Sequence, residues 1–545
     1  MSIEYFVEGK VITQTEGDNI SLSKEDISHN STQFVNQQGA DTGVSYNTPK
    51  NIHPNDKPVN TIDVSLNLFF DGTMNNKTNT ETGTTREKKE GSYANDYSNV
   101  ARGYDAIDST AENQVSWYIE GIGTVDGETD NDTFGLPARG GGMGIGERGI
   151  KAKVTKGCLR GADALKNKFG GKEINILKIN VFGFSRGAAA ARHFVHVAST
   201  PVTPIRTAGG KYTIFPPERY ERNDKEKETK TDSIQNIELE DITNPLFINH
   251  GYFGACLVKA GLKIHQIQFN FIGLYDTVAS FGANHRGNWF VGNDSEQLNL
   301  NAVRQGAFIF QIASDDEFRE NFSLTNIKDS GIKGLQITLP GVHSDIGGGY
   351  VNGDEEKVLI YEEKDEIRNC ENYRSILIDE GWFLPDDIFI EKIVKPSRFD
   401  VTYQYQLWGK RILSNHYDKI PLDYMFQYSK QFDTKYLDHK LVKNKIEDEH
   451  ILKISSQLFP YINTCNSLRN DYVRNSNNGR SAAASDYIAT VNHYYYRNFN
   501  INIDDLKTLR SQFLHWSANL DSFGMKPRVS GVHRETERKR TILNG

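Results

Sequence analysis

An apolar run, Ile174 to Phe182 (INILKINVF), leads directly into Gly183-Phe184-Ser185-Arg186-Gly187, and four alanines, Ala188 to Ala191, follow at once. No other segment constrains the fold as much. The run predicts a buried strand, and the small side chains behind it predict a helix able to pack close to that strand. Glycines two positions before and after Ser185 permit a sharp reversal that leaves its hydroxyl standing at the strand's end. With 47 glycines among 545 residues the five-residue pattern also arises by chance. Its weight therefore comes from the strand before it and the helix after it.

Further strands share this character. Val64, Leu66, Leu68 and Phe70 alternate with Asp63, Ser65, Asn67 and Phe69, ending at Asp71-Gly72-Thr73. Val115 to Ile122 forms a second candidate strand. Ile264 to Leu274 carries Ile267, Phe269 and Phe271 in alternation and ends at Tyr275-Asp276-Thr277. Leu335, Ile337 and Leu339 precede Pro340-Gly341-Val342-His343-Ser344-Asp345 and a glycine triplet, Gly347 to Gly349. Helix-like stretches such as Ile150 to Lys168 separate these strands. The pattern predicts an α/β layer structure with a mostly parallel sheet flanked by helices, whose site lies beyond the carboxyl ends of the strands.

Composition bounds the rest. Hydrophobic residues make up 37% and charged residues 25% of the chain, and no apolar stretch reaches the roughly 18 residues of a membrane-spanning helix. The opening MSIEYFVEGKVITQTEGD lacks a basic region followed by an apolar run, which predicts synthesis in the cytoplasm without a signal peptide. Action outside the cell would then need a carrier machine. Cys158, Cys256, Cys370 and Cys465 lie too far apart for a zinc site or disulfide frame and read as reduced thiols. A net charge of -8 argues against nucleic acid as partner. The tail Arg534 to Arg540 is a modest basic candidate for lipid contact.

The chain divides into a polar extension (1–58), a core (59–350) with an inserted region (201–262), a mainly helical cap (351–505) and a C-terminal segment returning to the core (506–545). The charged run Glu218 to Lys230 reads as a solvated loop. Tyr403 to Ile412 and Ile451 to Phe459 read as cap helices. The glycines from Gly140 to Gly146 read as a site rim, because they lack the Gly-Lys-Ser/Thr ending of a phosphate loop.

A serine hydroxyl needs a histidine to take its proton and a carboxylate to orient that histidine. Ser185, Asp276 and His343 occur in the nucleophile, acid, base order of α/β-hydrolases, each just after its own expected strand. Asp276 as a helix cap and His343 as a plain turn histidine are the bland alternatives. His515 rivals His343 as base, although no alternating strand precedes it, and Asp345 rivals Asp276 if its turn folds back. Oxyanion donors are expected from the amide of Arg186 and from Gly72 or Thr73. Asp71 would hold that turn, as an Asx-turn does.

FFDGTMNN (Phe69 to Asn76), VFGFSRGAAAARHF (Val181 to Phe194), LYDTVASFG (Leu274 to Gly282) and PGVHSDIGGGY (Pro340 to Tyr350) together resemble a bacterial α/β-hydrolase family that includes type VI secretion phospholipase (lipase) effectors. HWSANLDSFGMKPR (His515 to Arg528) resembles that family's C-terminal segment. The resemblance implies an α/β-hydrolase core with a largely helical cap. It also implies a serine esterase of the phospholipase A type acting on membrane phospholipids, with Ser185 as nucleophile, Asp276 as acid and His343 as base. The implied partners are a secretion spike or tube component, a cognate immunity protein and the phospholipid surface, and the implied destination is a target cell's periplasm. The mechanism requires no cofactor, and a divalent ion ordering the carboxylate-rich loops stays open. An esterase or thioesterase for a small soluble substrate, and a non-catalytic secretion scaffold, are the other readings.

Overall fold

The alternating and apolar runs become strands of one sheet. The structure, a computed structural model, describes residues 61–83, 90–130, 145–207, 209–223, 235–279, 298–396, 401–477, 494–522, 525–528 and 538–545. The expected extension 1–58, the glycines at 140–142 and 144, and positions 224–230 of the charged run lie outside the described residues.

Strands β1 (Thr61–Phe70), β2 (Gln114–Ile119) and β3 (Glu173–Phe184) come first. The short β4 (Ile205–Arg206), β5 (Tyr212–Ile214) and β6 (Ile237–Leu239) then form a small antiparallel sheet of their own. After them come β7 (Lys263–Tyr275), β8 (Phe308–Ser314), β9 (Leu324–Thr325) and β10 (Gly334–Leu339). The central sheet has the order β10-β8-β7-β3-β1-β2. Its β1–β2, β3–β7, β7–β8 and β8–β10 pairings are parallel. One strand of this sheet went unread in the sequence: β8 (FIFQIAS) is buried along its whole length, so it carries no alternation to read.

Both faces of the sheet are covered, which is why its strands are apolar almost throughout. On one side Leu66, Leu68, Ile179 and Val181 pack with Val154, Cys158, Phe194 and Phe253 of the helices Ile150–Phe169, Arg186–Val197 and Pro245–Lys259. The helix Pro245–Lys259, within the stretch expected as an insertion, thus contributes to the core. On the other side an aromatic row crosses the strands. Phe69 stacks on Phe182 at 4.5 Å, Phe182 meets Phe271 at 5.5 Å, and Phe271 meets Phe308 at 6.0 Å. All four cysteines are free and buried.

The region after the core corrects one expectation. Tyr403 to Ile412, read as a helix, lies in a strand. Strands β11 (Asp354–Lys364), β12 (Ile388–Pro396) and β13 (Val401–Leu413) form an antiparallel sheet of order β11-β13-β12. Tyr403, Tyr405 and Leu407 recur at every second position, a period that a helix cannot place on one face. Ile451 to Phe459 does fall within a helix, Glu449–Asn477, whose Ile451, Ile454, Leu458, Tyr461 and Cys465 share its buried side. Among the described residues no helix is long and apolar enough to cross a membrane. Finally β14 (Ile542–Leu543) pairs in parallel with β9.

Candidate active site

The carboxyl ends of β1, β3, β7 and β10 deliver Asp71, Ser185, Asp276 and His343. Ser185 closes β3 and caps the helix Arg186–Val197 with φ 59° and ψ −128°. A non-glycine residue held there stores about 1–3 kcal/mol of strain, which the surrounding packing must hold. Two backbone contacts explain the flanking glycines. A Cβ on Gly183 would lie 2.6 Å from Ala188 Cα, and one on Gly187 would lie 2.2 Å from the carbonyl oxygen of Asp71. The elbow therefore wedges between its own helix and the end of β1. Its backbone is pinned by the Ser185 N–H, which donates to the Tyr275 carbonyl at 3.0 Å.

Asp276 follows β7 with φ 45°, fully buried. Its Oδ2 lies 2.5 Å from His343 Nδ1, and its Oδ1 accepts the Ser314 N–H at 2.8 Å. Arg540 completes the set, with Nη1 at 2.6 Å from Oδ1 and Nη2 at 2.8 Å from Oδ2. Burial alone would raise the Asp276 pKa, but Arg540 and then the His343 hydrogen bond outweigh it and hold the carboxyl well below its usual range.

His343 opens the short helix His343–Gly347, with its ring between Phe184 at 4.7 Å and Phe322 at 5.0 Å. Asp276 facing Nδ1 favours the tautomer with the proton on Nδ1 and a lone pair on Nε2. Nε2 is buried with no hydrogen-bond partner among the described residues. Burial lowers the His343 pKa below 6.5, with Asp276 opposing that shift and Arg319 adding to it. The shift favours the neutral imidazole, the form in which a histidine can accept a proton. Behind it, Glu317 accepts the His343 N–H at 3.3 Å and pairs with Arg319 at 2.8 Å.

The two rivals find each other. His515 Nδ1 lies 2.7 Å from Asp345 Oδ1, and the His515 N–H donates to Asp345 Oδ2 at 3.1 Å. The ring stacks on Tyr350 at 3.6 Å. Asp345 also accepts the Val342 N–H at 2.9 Å, so it braces the turn that carries His343 without orienting the His343 ring.

At the end of β1 the Asp71 carboxylate accepts three hydrogen bonds, from the Gly72 N–H at 2.7 Å, Ser98 Oγ at 2.6 Å and Tyr118 Oη at 2.6 Å. Burial nevertheless raises its pKa to about 6. The Gly72 amide is thereby engaged, whereas no partner for the Thr73 N–H is found among the described residues. Arg186 Nε donates to Thr73 Oγ1 at 2.7 Å and ties this turn to the elbow. Sequence reasoning missed Arg540, Glu317 and Arg319. Arg540 stands 264 positions from Asp276 and was read only as part of a basic tail; in the fold Arg540 is buried against Asp276, and Arg538 pairs with Glu380. Among the described residues no group of three or more His, Cys, Asp or Glu side chains is arranged to hold a metal ion.

Residues 65–363 match the family described as type VI secretion system phospholipase effector Tle1-like, catalytic domain. The matched span runs from β1 through the turns bearing Ser185, Asp276 and His343 to the end of β11. Among solved structures, the Tle1 effector bound to the VgrG spike from the type VI secretion system is similar in fold, with 17% identity, a TM-score of 0.54, and coverage of 94% of this chain and 100% of that one. The crystal structure of an uncharacterized protein from Pseudomonas aeruginosa aligns at 15% identity and TM-score 0.33, over 74% of this chain and 51% of that one. No curated protein matches.

Proposed function

Because the chain belongs to the Tle1-like phospholipase effectors of the type VI secretion system, matched over more than half its length, we propose that it is a serine hydrolase that cleaves acyl esters of membrane phospholipids through an acyl-enzyme on Ser185. The observation carrying this reading is the Asp276–His343 pair, 2.5 Å apart, at strand ends beside a serine held at positive φ. His343 Nε2 takes the hydroxyl proton as Ser185 Oγ attacks the acyl carbonyl, and Asp276 holds the Nδ1–H and favours the imidazolium that forms. The amides of Arg186 and Thr73 face the developing oxyanion. The proton then passes from Nε2 to the departing lysophospholipid oxygen. A water, deprotonated by the same nitrogen, releases the fatty acid and restores the serine.

In this reading residues 59–350 form the catalytic core and 351–505 the cap, and a spike component carries the chain into a target cell. The VgrG complex of the similar Tle1 effector supports that mode of delivery. An immunity protein would protect the producer, and the periplasmic face of the membrane would supply the substrate.

The test is product identification. Purified protein on phosphatidylethanolamine and phosphatidylglycerol vesicles is expected to yield fatty acid and lysophospholipid in equal amounts by mass spectrometry. The acid limb of kcat/KM should fall below the ordinary histidine value near 6.5, because burial holds His343 neutral. Diacylglycerol or phosphatidic acid as product, or turnover confined to short soluble esters, would contradict the proposal.

A further inference from the structure

The described residues of the chain's tail, 538–545, run back to the core beside the turn that carries Asp276. Strand β14 lies along β9, with the Leu324 N–H donating to the Thr541 carbonyl and the Asn326 N–H to the Leu543 carbonyl, both at 2.9 Å. Strand β9 is itself stitched to that turn, since the Thr325 N–H donates to the Thr277 carbonyl at 2.9 Å. Arg540 stands two residues before β14, and its side chain is only 7% exposed. Its Nε donates to the Phe322 carbonyl at 2.8 Å and its Nη1 to Ser314 Oγ at 2.8 Å, while both terminal nitrogens grip the two oxygens of Asp276. The guanidinium is therefore held by Phe322 and Ser314 as well as by the carboxylate.

We propose that Arg540 is a positioning residue for the reaction: by clamping the Asp276 carboxylate bidentately it presents Oδ2 to His343 Nδ1 and sets how readily His343 takes a proton. The inference rests on the serine-hydrolase reading. Without the clamp, Asp276 would keep, among the described residues, the Ser314 N–H and His343 as donors, and its carboxylate plane would be free to turn. A bidentate guanidinium fixes that plane, and a lysine, a point charge on a flexible stem, cannot.

Charge decides the direction of the pH effect. Among the described residues, the charged groups facing His343 are Asp276 from the end of β7, Glu317 and Arg319 from the connection after β8, and, across Asp276, Arg540 from the tail. Two anions and two cations balance. Removing Arg540 leaves one net negative charge beside the imidazole, which favours the imidazolium. The apparent titration of the Asp276–His343 pair should then move to higher pH.

The experiment follows that titration by NMR of histidine-labelled full-length protein, wild type against Arg540→Ala and Arg540→Lys, with kcat/KM on phospholipid vesicles measured in parallel. In Arg540→Ala the imidazole titration is expected to rise by about one pH unit, the acid limb of kcat/KM to follow it, and kcat to fall about 10- to 100-fold with KM little changed. In Arg540→Lys the titration should stay near wild type while kcat falls about tenfold. An unmoved titration in folded Arg540→Ala overturns the proposal. If that variant does not fold, an unchanged kcat in Arg540→Lys overturns it instead. The NMR titration needs no turnover, so absence of phospholipid hydrolysis by wild type would count against the hydrolase reading and leave the test of the clamp standing.

Discussion

Ser185→Ala is expected to lower kcat for phospholipid ester hydrolysis by a factor on the order of 10⁶, leaving only what the oxyanion donors and binding supply. The elbow should survive the change. Alanine keeps the Cβ, the strained φ of 59° is held by the neighbouring backbone, and the Ser185 N–H donation to Tyr275 does not involve the hydroxyl. Circular dichroism and unfolding midpoints should therefore match wild type while fatty-acid release and fluorophosphonate labelling disappear. Activity within about tenfold of wild type would remove Ser185 from the nucleophile's role.

Asp276→Asn is expected to have the next largest effect, about 10⁴-fold on kcat with KM little changed, because the amide can no longer favour the imidazolium or hold the required tautomer. A second consequence follows from Arg540. The guanidinium would be left buried against a neutral amide, and breaking a buried ion pair by removing one partner costs about 3–5 kcal/mol. Urea unfolding should show this loss beside the kinetic one. The sign of the pH dependence separates the two groups. The Asp276 carboxyl is held well below its usual range, so its stabilisation is present above the unfolded value and is lost only in strongly acidic solution. The acid limb of activity is therefore expected to follow His343.

Much of the architecture was legible because parallel strands buried on both faces write long apolar runs, and their ends carry polar turns. Ser185, Asp276 and His343 each follow such a run, and of these the fold brings Asp276 and His343 within hydrogen-bond reach. The strand Phe308–Ser314 was not legible, since complete burial removes alternation. Strand β13 was misread because aromatic and charged residues suit either element, and only the spacing of Tyr403, Tyr405 and Leu407 distinguishes them. Arg540 was illegible for a different reason: nothing local separates a surface arginine in a basic tail from one that folds back onto a carboxylate 264 positions away. The pairing of His515 with Asp345 likewise depends on a contact across 170 positions.

That second pair makes the two histidines the sharpest comparison. Fatty-acid release from phospholipid vesicles by His343→Ala and His515→Ala, each compared with wild type at the same pH, tests the assignment of the base directly. The geometry predicts near-complete loss in His343→Ala and substantial retained activity in His515→Ala, whose ring braces the turn through Asp345 and does not touch Asp276. The reverse order, with His343→Ala active and His515→Ala inert, would contradict the account.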